Sequence, residues 1–187
     1  MDTTDTQILH LILNDHTFDQ GFKKLVLKHQ EKLYWHIRRI VHFHDDADDV
    51  LQNTFIKVFK NIKGFKGDSK LYTWMYKIAS NEAISFINKK NNKRSEVLED
   101  HLEYLENRLK ADNYFNSENA QILLTKAIET LPAKQRLVFN MRYFEALSYK
   151  DISEINNTSI GSLKASFHHA VKKIEQYLSD NLDYVYK

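Results

Sequence analysis

Apolar residues recur at spacings of three and four along much of the chain, which is the pattern of amphipathic helices. Residues 18–43 have the pattern expected of an amphipathic helical pair, with apolar residues at Phe18, Phe22, Leu25, Val26, Tyr34, Ile37, Ile40 and Val41. A second apolar arc predicts a helix over 46–62, through Val50, Leu51, Phe55, Val58, Phe59 and Ile62. Further helices are predicted over about 71–90, 120–130 and 132–145, the first of them after a loop that holds two of the four glycines.

The C-terminal part of the chain predicts a helix-turn-helix. Ser148 and Asp151 match a capping box that opens a short helix over 149–155, and the asparagines at 156–157 end it. Ser159 can cap the last helix, whose apolar stripe consists of Ile160, Leu163, Phe167, Val171, Ile174 and Leu178. In this arrangement the second helix enters the major groove of DNA, although a plain helical hairpin has the same pattern.

The composition favours an all-α fold. The 187 residues include four glycines and one proline, too few for turn-rich sandwiches and barrels or for glycine-cradled phosphate sites. The absence of cysteine excludes disulfides and thiolate metal sites, and we expect neither a metal nor a cofactor. No apolar run approaches the roughly 18 residues of a spanning helix, and the N-terminus is acidic where a secretion signal would be basic. We therefore expect a cytoplasmic protein without membrane insertion.

Charge is unevenly distributed, although the net charge is only +2. Residues 56–94 contain ten basic residues and two acidic ones, whereas residues 95–120 contain seven acidic residues and two basic ones. The basic block suits binding to a polyanion, which would repel the acidic block. We expect two small helical domains, 1–94 and 119–187, joined by a flexible acidic linker over 95–118.

The outward face of the last helix provides candidate DNA contacts. Four side chains in its first two turns lie opposite the apolar stripe and are expected to reach base edges: Ser162, Ala165, Ser166 and His169. Lys172 and Lys173 lie further along the helix, where phosphate contact is the better interpretation. Contacts of that kind strengthen binding without carrying much sequence information.

Three segments together resemble the extracytoplasmic-function branch of the sigma-70 family of bacterial transcription initiation factors. Residues 46–55 and 67–83 match region two of that branch, and residues 131–136, 143–145 and 148–152 match region four. The resemblance implies that the chain binds core RNA polymerase, directs it to two promoter elements and helps to open the duplex, without covalent chemistry of its own. Similar factors are often held inactive by an anti-sigma protein, frequently a membrane-anchored one.

The resemblance also implies a role for the basic block. In similar proteins, a loop of region two and the Asn of an Ile-Ala-x-Asn motif capture flipped bases of the minus-ten element. The residues in the matching positions are Phe65, Lys66, Asp68, Ser69, Lys70 and Asn81, with Lys77 on the same face as Asn81. A helical wheel places Thr73, Ser80 and Asn88 on that polar face as well. Trp74 and Tyr76 are expected to be core aromatics.

A polar arc on the helix over 46–62 is the candidate polymerase-binding surface. It consists of Asp49, Gln52, Asn53 and Ile56, opposite the apolar arc. An exposed isoleucine among acids and amides suggests a docking surface, and the arc matches the family's site for the polymerase clamp helices. A hydrated face without a partner is the alternative.

Two other functions remain open on the sequence alone. A stand-alone helix-turn-helix regulator would explain the C-terminal module but not residues 46–94. The run of histidines and aspartates over 42–46 would suit a helical metal-dependent phosphohydrolase only if these side chains converged with ligands from distant helices. Ordinary histidines at a helix end, beside an acidic cap, explain the same run. The sequence also departs from the family at Asn157, where glycine is usual, and at Ser153, where alanine is usual. Asparagine tolerates the left-handed conformation that such a turn needs.

Overall fold

The computed structural model describes residues 4–91 and 119–181, and all regular secondary structure within them is helical. The elements are α1 (Asp5–Leu13), α2 (Phe18–Val41), α3 (His44–Asn61), a 3₁₀ turn (Ile62–Gly64), α4 (Leu71–Asn91), α5 (Asn119–Glu129), α6 (Ala133–Tyr143), α7 (Tyr149–Asn156) and α8 (Ile160–Asp180). They confirm the predicted all-α class. The chain divides into two compact units, and the predicted acidic linker lies outside the described residues.

The first unit is built around α2, which packs against α1, α3 and α4. The prediction of a helical pair over 18–43 was wrong, because α2 is one continuous helix of 24 residues. No proline interrupts it, and it ends only at His42, whose backbone is left-handed (φ 68°) and whose N–H donates to the Arg38 carbonyl at 2.8 Å. A single long helix with a continuous apolar face can therefore pack against three neighbours.

Helix α1 was not predicted, and it is fixed to α2 by a close backbone approach. A Cβ added to Gly21 would lie 2.8 Å from the backbone nitrogen of Ile12, so only glycine fits at this crossing. Thr4 and Gln7 form a capping box at the start of α1. Asp5 lies 3.2 Å from the buried His29 of α2. Burial lowers the pKa of His29, and the nearby Asp5 carboxylate only partly opposes this shift.

Two ion pairs join α3 to α4. The Lys90 ammonium lies 2.6 Å from the Asp46 carboxylate, which connects the end of α4 to the start of α3. Lys57 pairs with Glu82 further along the two helices. Between α2 and α4, His36 Nε2 lies 2.8 Å from the Ser80 hydroxyl, and both side chains are buried.

The second unit has a core formed where α8 packs against α5 and α6: Ala127, Ile128, Leu131, Phe139, Ala170 and Ile174. Beside it, the Arg136 guanidinium lies 2.6 Å from the Glu129 carboxylate. Their side chains are only 15% and 4% exposed. An ion pair withdrawn from water to this extent is costly to break, because the remaining charge cannot be solvated.

The helix-turn-helix has the predicted caps. The Ser148 hydroxyl accepts from the Asp151 N–H at 3.1 Å, and the Ser159 hydroxyl accepts from the Ser162 N–H at 3.3 Å. Asn157 is left-handed (φ 50°), which confirms that asparagine serves where glycine is usual. Within the described ranges, no helix is long and apolar enough to cross a bilayer.

Candidate polymerase and promoter interface

The outer face of α3 presents all four predicted docking residues to solvent. Asp49, Gln52 and Asn53 are exposed, and Ile56 retains 45% of its accessible surface. The opposite face buries Ala47, Val50, Thr54 and Val58. Ile56 therefore lies outside the buried face of α3 and leaves apolar surface accessible.

An aromatic cluster that the sequence did not predict extends the outer face of α3. Phe59 was assigned to the buried arc, yet it is 48% exposed. Its ring meets Phe18 at 5.2 Å and Phe22 at 5.0 Å, both edge to face. Since Phe59 follows Ile56 by one helical turn, an apolar surface continues from the polar arc toward the start of α2. One exposed ring, backed by two half-buried rings of α2 and set beside a polar arc, has the composition of a binding surface.

The loop between α3 and α4 is short and tightly turned. The Phe65 N–H donates to the Ile62 carbonyl at 3.1 Å, and Gly67 has a positive φ of 80°. The Phe65 ring is half-buried against Trp74 of α4, with 5.4 Å between the centroids. The loop also holds the half-buried Ser69 and the exposed Lys66, Asp68 and Lys70. An aromatic pair thus anchors a loop whose charged side chains point into solvent.

Asn81 of α4 is exposed, as predicted, but the predicted polar face around it was partly wrong. Thr73 and Ser80 are buried, because α4 packs against both α2 and α3 and must bury two faces. The Ser80 hydroxyl donates to the Tyr76 carbonyl at 2.8 Å. Lys77 is half-buried and Asn88 is exposed. Two small hydroxyls therefore belong to the interior, and Asn81 is left as a free amide beside the basic block.

The aromatic residues of α4 differ in burial. Tyr76 is a core residue, as predicted, and its ring lies 4.7 Å from that of His36. Trp74 is only half-buried, so its expected place in the core was wrong. It lies at the rim, where its ring meets the loop that contains Phe65. A rim tryptophan leaves part of its π face accessible.

Helix α8 presents most of the predicted DNA-reading residues outward. Ser162, Ala165, His169, Lys172 and Lys173 are exposed, whereas Ser166 is half-buried. The wheel placed Ile160 in the inward stripe, but it is 42% exposed. The core of α8 is centred on Leu163, Ala170 and Ile174, which turns the outward face away from Ser166.

Two further side chains on the same turns were missed. Lys164 and His168 are exposed, because the true core is displaced from the apolar stripe that the sequence alone defines. The Lys164 ammonium lies 5.9 Å from the centroid of the Tyr149 ring, which the Arg142 guanidinium approaches to 5.1 Å. A wheel centred on the alanine at position 170 would have found both residues.

Helix α6 ends in an aromatic surface. Tyr143 and Phe144 are both exposed, and their rings contact Phe139 of the core at 5.1 and 6.1 Å. The core of the second unit therefore leaves part of its apolar surface open at this end of α6.

The histidines and aspartates over 42–46 make separate contacts rather than one shared site. His42 ends α2, whereas His44 begins α3. His44 Nδ1 lies 2.7 Å from the Tyr34 hydroxyl, and its Nε2 lies 3.4 Å from the Asp48 carboxylate. In residues 4–91 and 119–181, no group of three or more His, Asp or Glu side chains is arranged to hold a metal ion.

Comparison with known proteins identifies both units. The family model of sigma-70 region 2 matches residues 25–93, and that of sigma-70 region 4 matches residues 121–174. The RNA polymerase sigma-H factor of Pseudomonas aeruginosa is 31% identical over 167 residues, which cover 85% of this chain and 86% of the relative. The ECF RNA polymerase sigma-E factor of Haemophilus influenzae is 29% identical over 164 residues, covering 83% and 86%.

Solved structures show the same fold. The sigma factor RpoE of Bartonella quintana, in complex with the anti-sigma factor NepR, matches with a TM-score of 0.66 at 21% identity, over 86% of this chain and 98% of that chain. CnrH in complex with the cytosolic domain of CnrY matches with a TM-score of 0.69 at 18% identity, over 95% and 98%. With two region models in order and relatives of this coverage, the chain belongs to the extracytoplasmic-function branch of the sigma-70 family of RNA polymerase sigma factors.

Proposed function

We propose that this sigma factor binds core RNA polymerase through the outer face of α3, captures unpaired minus-ten bases with the 65–70 loop and α4, and reads the minus-thirty-five element with α8. The observation that carries the proposal is that each of these surfaces has exposed residues at its centre: Gln52 and Ile56 on α3, Lys66 and Asn81 in the loop and α4, and Ser162 and His169 on α8. The corresponding domains are 1–94 for polymerase and minus-ten binding and 119–187 for minus-thirty-five binding, with 95–118 as the acidic linker.

The partners follow from the family. We expect core RNA polymerase and promoter DNA as partners, in the cytoplasm where both are found, and no catalytic site or cofactor in this chain. A sigma factor of the same fold is known in complex with an anti-sigma factor, and this supports an anti-sigma partner here, including a membrane-anchored one. The exposed aromatic surfaces on α3 and α6 have the composition that protein partners bind.

The chemistry of α4 and its loop suits melted DNA. Taking a base out of the stack costs a few kcal/mol, which a pocket offsets by stacking and by hydrogen bonds to the Watson–Crick edge. Phe65 and Trp74 offer aromatic surface, and the Asn81 amide offers both a donor and an acceptor. Lys66 and Lys70 are exposed to neutralise the phosphates of the captured strand.

Transcription from a purified system tests the whole proposal. Core polymerase mixed with the full chain and a library of promoter fragments should start RNA at defined positions, and sequencing the 5′ ends should reveal two shared upstream elements. A stand-alone regulator would instead alter transcription by a polymerase already carrying another sigma factor. Starts that require the other sigma factor would therefore favour the regulator.

We predict that Asn81→Ala reduces promoter opening but spares polymerase binding. The variant removes a base-reading amide from an exposed position, so the fold should be intact. Permanganate reactivity of thymines in the open region should fall at least about fivefold, the lower bound for one lost base contact of about 1 to 3 kcal/mol. Asn88→Ala, an exposed asparagine near the end of the same helix, is the matched control. Footprints equal to wild type would show that Asn81 does not capture a base.

We predict that two kinds of α8 variant behave differently in holoenzyme binding to upstream DNA. Ser162→Ala combined with His169→Ala should change the preferred sequence, each lost contact being worth about 1 to 3 kcal/mol. Lys172→Ala should weaken all sequences about equally and reduce the slope of log K against log salt concentration by about one. Selection from randomised upstream DNA measures both effects. An unchanged preference in the double variant would place base readout elsewhere.

A further inference from the structure

Ile160 stands apart from the other apolar side chains of α8. It is the first residue of the helix and is 42% exposed, whereas Leu163, one turn on, is 1% exposed. The apolar core of the second unit is formed further along α8, at Ala170 and Ile174. Ile160 therefore lies outside this core and leaves apolar surface accessible.

The residue that follows is also unexplained by packing. Gly161 lies inside the first turn, where glycine costs about 0.5 to 1 kcal/mol relative to alanine. A Cβ built on Gly161 would meet no atom within 4 Å. Open space around 161 and an exposed isoleucine at 160 leave this turn accessible to a close ligand.

The position of Ile160 defines what that ligand is. In a helix-turn-helix the N-terminal residues of the second helix contact base edges in the major groove. Ile160 belongs to that turn, next to the exposed Ser162 and Lys164. A branched aliphatic side chain cannot hydrogen-bond to a base edge. The apolar group that the major groove offers is the C5 methyl of thymine.

We propose that Ile160 is a specificity-determining residue that packs against the C5 methyl group of a thymine in the upstream promoter element. The inference rests on the proposed function of α8 as the reader of duplex DNA and adds a contact to it. The polar residues of α8 that are predicted to reach base edges read hydrogen-bonding groups, whereas Ile160 reads the methyl group. The preferred upstream element should therefore contain at least one thymine whose selection depends on this side chain.

Deoxyuridine substitution isolates the contact, because it removes the methyl group and leaves base pairing unchanged. Holoenzyme made with the full chain first selects an upstream element from randomised duplex DNA. Each thymine of that element is then replaced singly by deoxyuridine, and holoenzyme affinity is measured for wild type and for Ile160→Ala. Wild type should lose about fourfold affinity at one position, the equivalent of one buried methyl group. Ile160→Ala should bind thymine and deoxyuridine equally there.

Two variants separate the contact from general damage. Ile160→Val keeps branched methyl groups and should retain part of the discrimination. Leu27→Ala removes an apolar side chain of the first unit that is more exposed than Ile160, and it should leave the deoxyuridine profile unchanged. The inference is overturned if Ile160→Ala keeps the wild-type profile or if wild type is insensitive at every thymine. Holoenzyme that selects no upstream sequence would refute the proposed function of α8 together with it.

Discussion

Arg136→Met is expected to destabilise the second unit by about 3 kcal/mol. The substitution keeps much of the side-chain volume but leaves the Glu129 carboxylate, which is 4% exposed, without the guanidinium that now lies 2.6 Å away. A buried carboxylate that loses a guanidinium at this distance loses a large part of the electrostatic stabilisation that offsets its desolvation. Hydrogen exchange of the full chain, followed by mass spectrometry, should show faster exchange in α5 and α6.

Two variants test the cause of this loss. Lys134→Met changes an exposed base on the same helix and should leave exchange unchanged. Glu129→Gln combined with Arg136→Met removes both charges and should recover a large part of the lost stability. An Arg136→Met protein as stable as wild type would show that the ion pair contributes nothing to the unit.

Gln52→Ala with Ile56→Ala is expected to weaken binding to core polymerase by about 2 kcal/mol, or roughly 30-fold. Both side chains are exposed and lie outside the buried face of α3, so the helix content should not change. Titration of labelled full-length protein with core polymerase measures the affinity, and circular dichroism checks the fold.

A matched control distinguishes the docking face from any exposed apolar residue. Leu27 of α2 is 61% exposed, more than Ile56, and Leu27→Ala should retain wild-type affinity. Equal affinity of the double variant and wild type would reject the outer face of α3 as the polymerase-binding surface.

The sequence was sufficient for most helices because their apolar residues and caps act locally. Ser148, Ser159 and Asn157 each satisfy or turn the backbone within a few residues, so their roles could be predicted without tertiary contacts. The continuity of α2 could not be predicted as safely, because a long amphipathic stretch also suits two helices. Helix α1 was missed although its signals are local: the capping box of Thr4 and Gln7 and the helical spacing of Ile8 and Ile12 are both present in the sequence.

The burial of the candidate site residues was also only partly predictable from the sequence. Asn81 was correctly expected to be exposed, although two of its predicted polar neighbours, Thr73 and Ser80, are buried. The Ser80 hydroxyl is satisfied inside the helix bundle by the Tyr76 carbonyl, and the sequence does not record that contact. The prediction for Ile160 was wrong in the opposite sense, since it was expected to be buried and is exposed. A helical wheel takes no account of where the neighbouring helices end.

The two ion pairs that join α3 to α4 have a consequence for the geometry of initiation. Lys90 with Asp46 and Lys57 with Glu82 tie the helices together at separate points along their length. In the proposed function, α3 binds the polymerase and α4 binds the melted strand. The distance from the minus-ten element to the first transcribed nucleotide is then set by this pair of helices. Base pairs inserted downstream of that element would change the RNA sequence, but the distance between the element and the start site would stay constant.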